Sequence, residues 1–222
     1  MFTKFFKSFS DSSSSSDEKK LTHWAKNEAF MKALQSNGIT ISILDKKSLP
    51  ELNSLMKKNK DDDGFLQMQT AIRNCTDFKK IVDKEIPKHC FIARENSPDK
   101  KLVGFVVIAK VESSNMGAIS ELGIDRDYRR DAKNQSVKKA GSSLLFVGCN
   151  ELFLQKVDSI GVIASEENSV AFYKRWGFKV AEDGDDEEEL LIKPKKYLSK
   201  ENEFIESSLT KSEPKKTFSQ SS

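Results

Sequence analysis

Along the 222 residues, the spacing of apolar positions switches between helical and alternating several times, and the order of those switches is the first clue to a fold. "LTHWAKNEAFMKALQS", from Leu21 to Ser36, has helical composition, and Asn37-Gly38 punctuates its end before the β-branched alternation "ITISIL", so helix then strand is expected. Leu49, Leu52, Leu55 and Met56 predict a helix after Asp45, and a second helical stretch is expected over Gln69 to Lys84. "HCFIARENSPDKKLVGFVVIAKV" reads as two strands joined by a turn at Ser97-Pro98-Asp99, hence an antiparallel hairpin. "GAISELGI" follows as a further strand. From Val137 to Val157, Gly141, Leu144, Leu145, Gly148, Cys149 and Leu152 recur at helical spacing and predict a long amphipathic helix laid on a sheet. Then come a buried strand "SIGVIAS", a short helix "NSVAFYKRW", and two strands within "GFKVAEDGDDEEELLIKP" around an acidic turn.

Composition adds limits to this order. The length suits one domain with tails, and a net charge of +3 with dispersed basic residues gives no argument for nucleic acid. Cys75, Cys90 and Cys149 are odd in number and widely spaced, which suggests neither a disulfide framework nor a zinc site and fits a reducing, cytoplasmic setting. The longest apolar run, Leu102 to Ala109, is far short of the roughly 20 residues that span a bilayer. Residues 1–20 and 195–222 read as flexible tails on composition, around a domain at 21–194 that begins with an extra helix at 21–36. Within the first tail, Phe2, Phe5, Phe6 and Phe9 alternate with Lys4 and Lys7 in a short basic amphipathic pattern. It reads either as a weak membrane-surface contact through residues 2–9 or as a tail that is floppy or packs on the domain.

The most informative stretch is "EENSVAFYKRWGFK", Glu166 to Lys179. Asn168, Ala171, Tyr173 and the pair Gly177-Phe178, placed after an apolar strand, resemble a signature of the GNAT superfamily of acyl-coenzyme A dependent N-acetyltransferases, and the element order read above is similar to that family's. "ELGIDRDYRR" resembles its fourth strand and the turn leaving it, with Arg129 at a position often basic in the family. The family's phosphate-binding turn is matched less closely. In "SVKKAG", Gly141 fits the last position, Lys139 stands where the first glycine is expected, Ser136 replaces an Arg or Gln, and about seven extra residues follow Arg129.

The resemblance implies an α/β (α+β) fold of GNAT type. Its central sheet is mixed and mainly antiparallel, with helices on both faces and a splayed cleft between the fourth and fifth strands. It also implies acetyl-CoA as co-substrate, no metal, and transfer to an amine-bearing acceptor by direct attack in a ternary complex. Carried over residue by residue, the cofactor would lie against Leu122 and Ile124 through their backbone atoms. Arg129 and the turn of Val137, Lys138, Lys139, Ala140, Gly141 and Ser142 would sit at the pyrophosphate, and Asn168 and Ala171 along the cofactor arm. A helix N-terminus favours such an anion through its free N–H groups and its macrodipole, and Lys138 and Lys139 are expected to add charge. Asn168 is also read as a cap for its short helix.

Acetyl transfer needs a neutral amine, a donor to the developing oxyanion and a proton for the departing thiolate. Neutralising a lysine of pKa about 10.4 near neutral pH costs about 4 kcal/mol, whereas an α-amino group costs under about 1 kcal/mol. The resemblance implies who meets these needs: Glu121, on the fourth strand where family members place a carboxylate, is the candidate base, and Tyr173, at the place of the family's tyrosine, the candidate acid, each also readable as an ordinary structural residue. Phe172 and Trp176 at i and i+4 are read as packing residues, His23 and His89 as structural, and Cys149 as core rather than nucleophile. The run Glu182 to Glu189 is either a solvated acidic turn or a feature that attracts a basic peptide or polyamine. The reading from another class is a catalytically weakened member serving as an interaction module, supported by the altered turn. The hydroxyl-rich ends also fit a bacterial effector delivered into a host cell. The sequence leaves room for a longer acyl donor as well.

Overall fold

The computed structural model describes residues 21–59, 88–111, 114–129, 137–164, 167–181 and 189–210. The predicted helix over Gln69 to Lys84, the acidic turn and the segment 2–9 lie outside them. Among the described residues the order is α1 (Glu28–Ser36), β1 (Ile39–Ile43), α2 (Leu49–Lys58), β2 (Lys88–Glu95), β3 (Leu102–Val111), β4 (Met116–Ile124), α3 (Ala140–Leu154), β5 (Ser159–Ile163), α4 (Glu167–Arg175), β6 (Lys179–Val180), β7 (Glu189–Ile192) and α5 (Pro194–Leu209). The strands make one seven-stranded sheet in the order β1-β2-β3-β4-β5-β7-β6. Every pairing is antiparallel except β4 with β5, as the mixed, mainly antiparallel expectation requires.

The chain's apolar pattern sorts onto two cores. The larger gathers Phe30 and Leu34 of α1, Val106 and Ile108 of β3, Leu144, Leu145 and Phe146 of α3, and Tyr197 and Phe204 of α5. The smaller joins Leu52, Leu55 and Met56 of α2 to Ile92 and Phe105 of the sheet. The near-continuous apolar run of β3 thus serves both faces of the sheet, which is why it does not alternate. Gly148 on α3 faces β3 and β4 closely enough that a methyl group there would meet Ile108 at 3.0 Å.

Two expectations need correction. The extra helix expected at 21–36 is broken: Trp24–Lys26 forms a 3-10 turn, and Asn27 leaves the helical region (φ -86°, ψ 99°) to cap α1 by accepting a bond from Phe30 N–H. An asparagine side chain competes for backbone donors best at a helix start, and it does so here. More consequentially, residues 195–209 are no tail. They belong to α5, whose Tyr197, Glu201, Phe204, Ile205 and Ser208 are buried on one face. These positions follow the 3.6-residue period, so the helix buries a stripe that its mean polarity conceals.

Candidate active site

The sheet opens at its centre. β4 and β5 pair in parallel only from Met116↔Ser159 to Ala118↔Gly161, yet β4 continues to Ile124 and β5 to Ile163. Just past the last pair, β4 carries a bulge: Ile119 faces Ile108 and Glu121 faces Val107, leaving Ser120 as the extra residue. A bulge bends its strand and sharpens the twist, which turns the second half of β4 away from β5. The predicted residues Glu121, Leu122 and Ile124 all lie on that diverging half, partly buried. Arg129 closes it, donating from Nε to the Ile124 carbonyl at 3.0 Å.

At the mouth of this split stands the N-terminus of α3. Ser143 N–H makes the first i to i−4 bond, to the Lys139 carbonyl, and among the described residues no side chain caps the helix. The first-turn N–H groups of Ala140, Gly141 and Ser142 therefore have no intrahelical acceptor, the arrangement that suits an anion. Lys139, where the resemblance leads one to expect a glycine, takes the left-handed conformation (φ 52°, ψ 30°). For an L-residue this costs about 1–2 kcal/mol. Gly141 fits the junction of three predicted parts: a Cβ there would lie 3.6 Å from Ile124 Cγ1 and 3.6 Å from Phe172 Cζ. Val137 and Ala140 are buried and Lys138 is exposed. The Lys139 ammonium, expected at the phosphates, is instead directed to α5, where it donates to Ser207 Oγ at 2.7 Å and Ser208 Oγ at 3.2 Å.

The opposite wall is α4. Asn168 and Ala171 are exposed on it, three residues apart and so on one face. Asn168 is the second residue of the helix, inside it rather than at the cap expected from sequence. Tyr173 is buried, with Phe172 and Phe178 edge-on to its ring at 5.2 and 5.4 Å. Gly177 explains the Gly-Phe pair: at φ 93° it ends α4 and lets Phe178 N–H return to the Tyr173 carbonyl at 3.2 Å. Burial pushes the Tyr173 hydroxyl well above the ordinary phenol range, and Cys149 and Glu121 push it in the same direction. The tyrosine hydroxyl is therefore held protonated. Cys149 itself is fully buried and its thiol is driven upward by desolvation, which opposes a thiolate nucleophile. His23 stacks on Trp24 and contacts Glu151 Oε1 at 2.9 Å, a structural setting.

The family model for the acetyltransferase (GNAT) family matches residues 54–178, more than half of the chain. The chain belongs to the GNAT acetyltransferase family. It is an acetyltransferase by that membership, and the family's acyl donor is acetyl-CoA. An acetyltransferase of the GNAT family from Staphylococcus aureus superposes with TM-score 0.55 at 16% identity, covering 70% of this chain and 98% of its own. The PaiA N-acetyltransferase from Thermoplasma acidophilum, solved in complex with coenzyme A, gives TM-score 0.52 at 18% identity, with 70% and 98% covered. AtaTR bound with acetyl-CoA gives TM-score 0.51 at 18% identity, with 75% and 98% covered. At these identities the likeness speaks for the fold. No curated protein matches the chain by sequence.

Two groups of residues around the site escaped sequence reasoning. Asp125, buried at the end of β4, is held by Lys58 Nζ at 2.7 Å, and the same ammonium reaches Asp127. This fixes the turn after β4 to the end of α2. Ser207 and Ser208 on α5 reach the α3 turn from about seventy positions away in sequence, and no local pattern signals that. Among the described residues no helix is long and apolar enough to cross a membrane, and no cluster could hold a metal.

Proposed function

We propose that this chain transfers an acetyl group from acetyl-CoA to a primary amine by direct attack within a ternary complex. The pantetheine arm follows the diverging half of β4, along Leu122 and Ile124. The pyrophosphate meets the uncapped turn of Val137 to Ser142, with Asn168 and Ala171 flanking the arm. The observation that carries this reading is the conjunction at one split of three things: β4 leaving β5 at Ala118, the open N-terminus of α3 with Gly141 beside Ile124 and Phe172, and the buried Tyr173 next to that Phe172.

Glu121 takes the proton of the acceptor ammonium, directly or through water, and Tyr173 faces the thioester sulfur. A phenol pushed above its ordinary range is a weaker acid than a thiol of pKa about 8.5. Tyr173 therefore stabilises the leaving thiolate chiefly by donating a hydrogen bond, and the proton lost by the amine completes the balance. Because its hydroxyl stays protonated, Tyr173 imposes no alkaline fall in rate below pH 10. The free, buried thiols Cys90 and Cys149 fit a reducing cytoplasm. A basic peptide or polyamine is the acceptor favoured by the acidic run before β7.

The deciding experiment compares full-length wild type and Tyr173→Phe in acetyl transfer to a panel of lysine peptides, polyamines and α-amines, with coenzyme A binding measured alongside. The expected result is turnover reduced on the order of 100-fold with coenzyme A affinity nearly unchanged. Unchanged turnover would remove Tyr173 from the chemistry, and no acetylation of any primary amine would overturn the reaction.

A further inference from the structure

We infer that Lys139, gripped by Ser207 and Ser208, is a positioning residue that makes the coenzyme A turn of this chain depend on its C-terminal helix. This rests on the coenzyme A reading of the α3 N-terminus given above. A glycine adopts the left-handed conformation unaided, whereas a lysine at φ 52° must be held there.

The hold is visible from both sides of the turn. On one side the end of α1 fixes the backbone, with Lys138 N–H donating to the Asn37 carbonyl at 2.9 Å. On the other, the Lys139 ammonium donates to Ser207 Oγ at 2.7 Å and Ser208 Oγ at 3.2 Å and lies 5.7 Å from the centroid of the Phe204 ring.

Hydrogen-bond accounting makes the serine pair specific for such a donor. A hydroxyl has one proton and two lone pairs. Both serines give their proton to the Phe204 carbonyl, at 3.0 and 2.8 Å, so both present acceptors only. Ser208 Oγ is completed by Asn37 Nδ2 at 3.1 Å, and its carbonyl receives Ser36 Oγ at 2.8 Å. The end of α5 is thereby locked to the end of α1, and the ammonium closes the third side. Lys139 acts here through its grip on α5, which holds the turn's N–H groups in place.

Coenzyme A binding to full-length variants, measured by titration calorimetry, separates this role from a simple charge effect. Lys139→Met keeps the length of the side chain and loses the grip, and it should weaken coenzyme A about tenfold. Lys139→Gly loses the same charge but takes the left-handed turn freely, so it should restore affinity to within about twofold of wild type. The double variant Ser207→Ala, Ser208→Ala should weaken binding in the lysine background and have little effect in the Lys139→Gly background. Equal affinity of wild type and Lys139→Met would overturn the inference while leaving the cofactor site intact. Lys139→Gly as weak as Lys139→Met would assign the effect to charge and overturn it likewise. An equal loss from the serine double variant in both backgrounds would make α5 a general support and reject the brace. Failure of coenzyme A to bind the wild type would instead overturn the underlying cofactor reading, and the brace with it.

Discussion

The helices α3 and α5 are almost equal in length, 15 and 16 residues, and lie against each other, yet they are stabilised in opposite ways. α3 is buried on nearly every side, from Ala140 through Phe153, and even its Ser142, Ser143 and Asn150 are inside. α5 is rich in Lys, Glu and Ser and buries one stripe only. They meet through aromatic rings: Phe146 stacks on Phe204 at 4.9 Å, and Phe153 lies 5.1 Å from Tyr197. A helix immersed in the core can leave its N-terminus uncapped and facing a cleft, because packing rather than capping holds it. The helix with the single stripe supplies what the immersed one lacks, namely directed polar contacts at the ends. The lesson is a division of labour in which α3 turns its open N-terminus to the split and α5 holds Lys139 and the end of α1 beside it.

The severest challenge to that division is Phe204→Ala. Phe204 is fully buried and touches Phe30, Phe146 and Trp176. Its truncation should cost about 3–5 kcal/mol and lower the melting temperature by roughly 10 °C, read by circular dichroism. A melting temperature within a degree of wild type would show that α5 is an accessory, and the two helices would not share one core.

A smaller effect is expected on the α3 side. Asn150 is fully buried. It accepts from Trp24 N–H at 3.0 Å and donates to the Thr22 carbonyl at 3.1 Å, joining the segment before α1 to the centre of α3. Asn150→Ala leaves those backbone groups without their partner and should cost about 1–3 kcal/mol. Limited proteolysis should then cut first before Trp24. Protection equal to wild type would mean that the ring contacts alone hold this segment.

These helices also show what a sequence can and cannot reveal. α3 was legible as a helix because Gly141, Leu144, Leu145, Gly148, Cys149 and Leu152 recur at helical spacing, but it is immersed in the core rather than amphipathic as that spacing predicted, since its remaining positions are buried too; α4 was legible through Asn168, Tyr173 and Gly177-Phe178. α5 was not, because Lys195, Lys196, Lys200 and Glu203 dominate any average, while the informative signal is the spacing of Tyr197, Phe204 and Ile205. The break at Asn27 carried a local cue, an asparagine ahead of an amphipathic run, that helical composition on both sides obscured. At Lys139 the departure from glycine could be read directly. Its consequence could not, since the partners Ser207 and Ser208 come together with it only in the folded chain.

The finest distinction between the helices is electrostatic. Glu201 of α5 is buried against α3, where it receives the Tyr197 hydroxyl at 2.6 Å and lies 3.5 Å from Asn150 Nδ2. Burial raises its carboxyl above the ordinary range, more than these two donors lower it. A carboxyl raised on folding binds its proton more tightly in the native state. Its contribution is therefore complete below the unfolded value near 4.5 and is lost as pH rises through the folded value. Glu201→Gln keeps an acceptor for Tyr197 without a charge to desolvate. Its melting temperature should exceed that of wild type increasingly as pH rises from about 4.5 towards neutrality, and the two curves should converge in acid. Tyr197→Phe sharpens the test, because removing a donor that favours the carboxylate should move the wild-type decline to higher pH. Parallel curves for wild type and Glu201→Gln would mean that solvent reaches this carboxyl, and that α5 rests on α3 through its rings alone.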